Sequence, residues 1–307
     1  MSDSGLGAIG VVIAVLGGAI RVGTPFLFVS LGECLTEKSG RINLGLEGNL
    51  VMGAMSGYGI AYLSGSPWLG VLTAGGAGML LGLIHALLCQ QPRVNDIAVG
   101  IAMMLFGTGL AFFLGKPFIQ PVAPHLPALS LGGWSSSPVI RAALDINVLF
   151  IIGALLAPGM SWFFRNAKWG FIIRTVGESR DAALAMGINV NRVRLLATMC
   201  GGFLAGIGGS FLSLYYPGAW NEGLSSGQGL MAVALVIFAR WNPIYCLYAS
   251  LLFGGAAALG PALQSVGITW GYYLFNATPY VLTLGIMIAT SSSKQRFASM
   301  PGELGKA

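Results

Sequence analysis

The stretch WNPIYCLYASLLFGGAAALG (241–260) opens a run of 53 residues, ending at Ser293, without a single Asp, Glu, Lys or Arg. A second such run, from Gly48 to Pro92, covers 45 more. About 20 apolar residues in a helix cross a bilayer core, so each run is long enough to cross twice. The rest of the chain has the same character. Of its 307 residues 8% are charged and 55% hydrophobic, and the mean hydropathy is +0.77. A water-soluble domain carries roughly 25% charged residues. The expected fold is an all-α polytopic membrane protein, with residues 1–307 forming a single membrane domain.

Breaks between apolar runs give candidate spans at 5–32, 43–63, 68–89, 97–115, 146–164, 195–216, 224–239, 244–260 and 279–293. Residues 261–278 are too polar and broken for a clean crossing and read as a re-entrant or interfacial helix, so eight to ten transmembrane helices are expected. Six basic residues (Arg165, Lys168, Arg174, Arg180, Arg192, Arg194) crowd the segment 165–194. Cytoplasmic loops concentrate Lys and Arg, which places this loop inside, the N-terminus outside and the C-terminus in the cytoplasm. Lys38, Arg41, Arg93, Arg240, Lys294, Arg296 and Lys306 then join those six inside, 13 of the 16 basic residues. The net charge of +6 therefore reflects topology, and no nucleic-acid partner is implied. Residues 1–20 carry only Asp3, which lacks the basic start of a cleavable leader, so the first run reads as a retained helix. The long outer loop, 116–145, holds five prolines and suits a folded cap.

Cys34, Cys89, Cys200 and Cys246 stand singly, without a C-x-x-C pair, and neither a metal site nor a cofactor is expected. Small residues recur every fourth position at Ala74/Gly78/Gly82, Gly107/Ala111/Gly115 and Gly201/Ala205/Gly209, the last beside Gly202/Gly206/Ser210. Such stripes let helix backbones approach closely in lipid. Spacing alone leaves open whether they serve static packing or sliding.

Two segments carry chemistry. The first, GECLTEKSGRINLGLEG (32–48), gathers three acids and two bases near the inner ends of two spans. Glu33, Glu37 and Arg41 recur at i, i+4, i+8, a spacing that pairs them along a helix face. Asn43 and Glu47 are also four apart. An ionisable group at the mouth of an apolar run needs a partner or water, so Glu37, Lys38, Arg41, Asn43 and Glu47 read as inner-end ion pairs, structural or gating. The second segment is the basic loop. There Ser179 is placed to cap a helix, Asp181 lies in its first turn and Gly187 stops it. A helix of two turns is marginal alone and needs a surface to dock on.

The pattern around 37–54, with Arg174, Gly177-Glu178, Ala182-Ala183, Gly187-Ile188-Asn189, Ala205-Gly206, Gly208 and Arg240-Trp-Asn-Pro243, resembles permease subunits of bacterial ABC importers. These belong to the ribose/branched-chain amino acid/nucleoside superfamily, and the resemblance covers nearly the whole chain. Within it, GRINLGLEG (40–48) is more similar to the nucleoside/simple-sugar branch than to the ribose branch. The resemblance implies that the short inner helix (Gly177, Glu178, Ser179, Arg180, Asp181, Ala182, Ala183, Gly187) couples to an ATP-binding subunit. It implies a second permease chain, identical or paralogous, an extracytoplasmic solute-binding protein and a home in the bacterial inner membrane. It also implies an uncharged solute, nucleoside or simple sugar, moved by alternating access. The chain itself has no phosphate-binding loop: its Gly-Lys pairs, Gly115-Lys116 and Gly305-Lys306, are followed by Pro and Ala.

Two other classes are open. Gly223-Leu-Ser225-Ser-Gly227 matches the G-x-S-x-G of serine hydrolases, although that motif needs a sheet and a later His. Both His85 and His125 precede Ser225. An ion-coupled transporter needs acids near the midplane, whereas Glu47, Asp96 and Glu222 sit near predicted span ends. Tyr215, Tyr216, Trp220, Trp270, Tyr272 and Tyr273 are aromatic residues placed to stack on a solute or to form an interfacial belt.

Overall fold

The computed structural model describes residues 7–133, 141, 144–265, 277–279, 281–282, 284–285 and 300–306, with the backbone alone at 7–10, 265 and 306. Its helices are α1 (Gly7–Lys38), α2 (Leu46–Ser64), α3 (Pro67–Cys89), α4 (Asp96–Gly115), α5 (Val148–Asn166), α6 (Lys168–Glu178), α7 (Arg180–Ala185), α8 (Val190–Leu214), α9 (Gln228–Phe238) and α10 (Pro243–Ser265). Short 3-10 turns occupy Lys116–Phe118 and Gly302–Lys306. Two strands, β1 (Ala128–Ser130) and β2 (Asp145–Asn147), pair antiparallel with Ala128 opposite Asn147, so the Pro-rich region between α4 and α5 departs slightly from an all-helical fold. Among the described residues six helices, α1, α3, α4, α5, α8 and α10, are long and apolar enough to cross a bilayer.

Boundaries are set by chemistry that the sequence displays. Pro67 starts α3, where a missing N–H costs nothing. Asn95 caps α4 and Asn147 caps α5 through side-chain oxygens that accept from Ile97, Ala98 and Leu149. Gly65 closes α2 at φ +70°, in the left-handed region that glycine enters freely. The first helix runs six residues beyond its expected end at 32, which brings Glu33 and Glu37 into α1 itself.

The core is built around α8. A methyl group at Gly202 would lie 2.3 Å from the Gly78 carbonyl oxygen, one at Gly206 2.1 Å from that of Ala74, and one at Gly209 2.0 Å from that of Leu50. Gly32 and Gly201 make the same backbone contact between α1 and α8. Glycine stripes therefore bring α1, α2 and α3 against α8 at distances no side chain permits, which is the packing role of these residues.

One expected span is shorter than a crossing. Residues 224–239 yield α9, 11 residues long, about 16 Å at 1.5 Å per residue against about 30 Å of hydrocarbon. Helix α2 also begins inside the bundle. A methyl at Gly48 would meet the Met103 carbonyl oxygen at 2.7 Å, seven residues or about 10 Å along α4 from Asp96. Of its 19 residues 13 are buried, which is how a helix bearing Glu47 and Asn49 is kept from lipid. The re-entrant reading of 261–278 falls mostly outside the described residues, α10 reaching Ser265 with Pro261 inside it. The span expected at 279–293 also falls largely outside them, as do Trp270, Tyr272 and Tyr273.

Candidate functional site

Most of the polar residues gathered in 32–48 pair with other elements and not with one another; the bond between Asn43 and Glu33 is an exception. Arg41 lies past the end of α1 and makes an ion pair with Asp96, the first residue of α4, while donating to the Cys89 carbonyl at 2.6 Å. This corrects the expected i, i+4, i+8 ladder, because the chain turns at Gly40 (φ +82°) before the third position is reached. Glu37 accepts from the Trp241 indole N–H, and the Cys34 thiol donates to the Trp241 carbonyl oxygen at 3.2 Å. Trp241 and Arg240 both have positive φ, 54° and 50°, an unusual setting for side chains of this size. The Lys38 ammonium stands 5.1 Å from the centre of the Phe164 ring. The Asn43 backbone N–H donates to Glu33 at 2.8 Å and its side-chain oxygen accepts from the Gly45 N–H, so it is not paired with Glu47.

Glu47 makes the densest of these contacts. Its Oε1 accepts from the Ser225 hydroxyl at 2.5 Å and the Gly227 amide at 3.1 Å, and its Oε2 accepts from the Gly229 amide at 2.6 Å. Glu47 is also in the first turn of α2. The carboxylate is thus held between the N-terminal ends of α2 and α9, where unsatisfied N–H groups present partial positive charge. Buried negative charge is accommodated here without a basic residue, so neither Lys38 nor Arg41 is its partner. Ser225 spends its hydroxyl on Glu47, and His85, which is buried, meets the Cys89 sulfur at 3.4 Å. Among the described residues no hydrolytic triad forms at the G-x-S-x-G motif.

At the same end of the bundle lie α6 and α7. Gly170 and Gly177 set α6 down on its neighbours: methyl groups there would lie 2.1 Å from the Phe163 and 2.2 Å from the Lys38 carbonyl oxygens. Its other face exposes Lys168, Trp169, Phe171 and Arg174, a basic and aromatic face fit for a bilayer surface. Ser179 is extended and its hydroxyl oxygen accepts from Ala182 N–H at 3.3 Å, as the capping pattern predicts. Gly187, at φ +73°, ends α7 with Gly187 N–H to Leu184 and Ile188 N–H to Ala183, the paired bonds of a Schellman stop. Ala183 is fully buried and packs with Val176, Val190 and Val193. Its methyl therefore faces the chain's own core. The surface of α7 belongs to Asp181, Ala182, Leu184 (52% exposed) and Met186 (58%).

The opposite end is closed by other means. The Tyr58 hydroxyl donates to the Pro121 carbonyl at 2.8 Å, the Tyr215 hydroxyl to Asp145 at 3.0 Å, and the Trp220 indole to Gly115 at 2.9 Å. Trp220 is 2% exposed, so it serves neither as a stacking platform nor in an interfacial belt.

A helical bundle with a short capped helix at its basic end, and with two helices starting inside the bundle, has the make-up of a multi-pass permease. The profile of the family described as branched-chain amino acid transport system / permease component matches residues 15–291, and the chain belongs to that family. It is 34% identical over 292 residues to a putative glucose ABC transporter permease of Haloferax volcanii, covering 94% of this chain and 88% of that one. It is 31% identical over 276 residues to a guanosine ABC transporter permease of Bacillus subtilis, covering 85% and 86%. A nucleoside ABC transporter permease of Lactococcus lactis is 31% identical over 284 residues, covering 86% and 88%. The chain is accordingly a transmembrane permease subunit of an ABC transport system, and the hydrolase and ion-coupled readings give way.

In the sequence Asp96 stands out as an acid near a span end, Arg194 as one of the basic residues and Trp241 within a family motif, but none of them with a site role, and Glu303 does not stand out. Asp96 had a signal, an acid following the capping residue Asn95 at the head of an apolar run. The others had none, since their partners lie far away in the chain.

Proposed function

We propose that this chain, as one membrane domain over 1–307, imports an uncharged nucleoside or simple sugar across a bacterial inner membrane by alternating access. Its N-terminus is outside and its C-terminus cytoplasmic, with eight to ten helices in the bilayer. It pairs with a second permease chain, identical or paralogous, receives solute from an extracytoplasmic binding protein and rests in membrane lipid. ATP hydrolysis takes place on a separate ATP-binding subunit. The observation that carries this reading is α7: capped at both ends, anchored by Ala183, and turning Leu184 and Met186 outward at the basic end. Exposed apolar groups on a helix so short call for a partner surface. Glu178, Arg180, Asp181 and Ala182 flank that contact, while Gly177, Ser179, Ala183 and Gly187 give it shape.

Glu37, Lys38, Arg41, Asn43 and Glu47 form the inner gate in this reading, each through its own partner. Movement of α9 against α2 would strain the three hydrogen bonds to Glu47, which makes that node the place where inner opening is resisted. The solute class follows the glucose, guanosine and nucleoside relatives and the scarcity of charge along the spans.

Topology is tested by single cysteines in a background with Cys34, Cys89, Cys200 and Cys246 replaced. Asn166→Cys should resist an impermeant thiol reagent in intact cells and Ser135→Cys should label; the reverse pattern overturns the orientation. The motor is tested in proteoliposomes. Uptake should require the ATP-binding subunit and ATP, and gradient-driven uptake by this chain alone would contradict the assignment. A thermal-shift screen of the cognate binding protein against nucleosides and sugars selects the solute.

A further inference from the structure

The segment Pro301–Lys306 sits in the crook between α6 and α7. A methyl at Gly302 would lie 2.5 Å from the Glu178 carbonyl oxygen, and Leu304, 9% exposed, joins the cluster of Val176, Ala183, Val190 and Val193. Between them Glu303 divides its carboxylate. Oε1 accepts from the Arg180 backbone N–H at 3.2 Å, and Oε2 from Arg194 Nη2 at 3.1 Å. Arg194 is 8% exposed, and its Nε donates to the Ser39 carbonyl oxygen at 3.1 Å. Gly40 follows directly, and a methyl there would meet Glu303 Cβ at 2.9 Å, Arg194 Nη2 at 3.0 Å and Gly177 Cα at 3.2 Å.

This arrangement does more than fill space. The hydroxyl of Ser179 serves the N–H of Ala182, while the first N–H of α7, that of Arg180, is taken by Glu303. A helix of six residues has no positional stability of its own, so the carboxylate helps decide where α7 stands. The other half of that carboxylate leads through Arg194 to Ser39 and Gly40. From there the chain passes Asn43, tied to Glu33, and enters α2 at the Glu47 node on α9. A continuous set of hydrogen bonds and short loop thus links the outward-facing helix to the two helix starts inside the bundle.

We propose that Glu303 is a positioning residue for energy coupling: through Arg194 and Ser39 it passes displacement of α7 to the start of α2. The proposal rests on α7 being the docking helix. It predicts a variant that docks and hydrolyses ATP yet moves little solute, since allosteric coupling runs through a linkage and not through the binding surface.

The test uses the complete complex with ATP-binding subunit and binding protein in proteoliposomes, reading co-purification, ATP hydrolysis and solute moved per ATP. Glu303→Gln should co-purify with the ATP-binding subunit at the native level while solute moved per ATP falls about tenfold, within the usual range of allosteric coupling. Glu303→Asp, which keeps the charge, should recover part of the ratio. Arg194→Lys keeps a cation for Glu303 but cannot also reach Ser39 in the fork geometry of a guanidinium, so it should uncouple as well. It also serves if Glu303→Gln folds poorly. Native solute-to-ATP ratios in Glu303→Gln or Arg194→Lys would overturn the proposal, as would losses of uptake that only track loss of folded complex. Leu184→Glu separates the two readings. If it still co-purifies, the docking assignment itself fails; if it does not while Glu303→Gln stays fully coupled, docking stands and the role of Glu303 falls.

Discussion

The two ends of this bundle are tied by different chemistry. At the basic end the ion pairs Arg41–Asp96 and Arg194–Glu303 hold loops to helix starts. At the opposite end Tyr58, Tyr215 and Trp220 donate to backbone carbonyls of the Pro-rich cap and the helix ends near it. An aromatic donor on a carbonyl fixes one geometry, with a large apolar ring packed around it. The two ion pairs are largely buried, yet each joins a loop to a helix, so displacement of the loop exchanges the pair for water or for a charge on a partner subunit. The end proposed to receive mechanical work is therefore the one built from exchangeable contacts, and the far end is built as a cap.

The comparison breaks most visibly at α7. Leu184→Glu places a charge on the apolar face that the proposed partner must cover, and uptake should fall by at least about tenfold, a loss of roughly 1.4 kcal/mol or more in binding. Co-purification of the ATP-binding subunit should fall with it, while the isolated permease keeps its thermal midpoint. A permease that loses its midpoint instead would mean that Leu184 supports the fold.

In stability, as opposed to partner binding, the largest effect is expected at Arg41→Leu. It leaves Asp96, whose side chain is 3% exposed, without its cation. Removing one member of a buried pair costs about 3–5 kcal/mol, so detergent-stable protein should drop sharply. Arg41→Leu combined with Asp96→Leu should regain most of it, because no lone buried charge remains. A double variant as unstable as the single one would show that the pair acts through something other than charge.

A smaller effect is expected at Glu47→Gln. The amide keeps one acceptor oxygen but turns an NH2 group toward donors that the carboxylate now serves. Loss of charge-assisted hydrogen bonds here should cost about 2–3 kcal/mol. Transport should fall further than folded protein does, since this node joins α2 to α9. Equal losses in both would reduce Glu47 to a structural role.

The smallest change belongs to the cap. Tyr58→Phe removes a hydroxyl that donates to Pro121 and accepts from Ala123 N–H at 3.3 Å. A loss of about 1–2 kcal/mol in stability is expected, with the solute-to-ATP ratio unchanged. A drop in that ratio would erase the distinction between a working end and a cap.

Much of this was legible in the residues. Apolar run length placed most helix boundaries, the crowding of Arg and Lys marked one end, and Ser179 with Gly187 announced α7 and its stop. Helix α9 starts four residues later than the span expected at 224–239, a stretch that is uncharged but includes Ser225, Ser226 and Gln228; hydropathy does not register that Gly227 turns left-handed (φ +82°) to start the helix late. Ala183 stands among the coupling residues that the resemblance implies, yet its methyl packs inward, since periodicity in six residues does not define a face. The polar residues of 37–47 are grouped by nearness in sequence, whereas Glu37, Lys38, Arg41 and Glu47 each find a partner on a distant element.

What the sequence determined by itself is what local chemistry controls: membrane residence, most spans, the basic end, and the caps and stops of individual helices. What only the tertiary structure decided is which polar group meets which. Glu47 finds Gly229 across 182 positions, Arg180 finds Glu303 across 123, and Arg41 finds Asp96 across 55. Those meetings depend on how closely α8 lets its neighbours approach, at Gly201, Gly202, Gly206 and Gly209. Hydropathy and capping act over one or two turns, while a buried carboxylate is satisfied by whatever donor the packing of distant helices brings within about 3 Å.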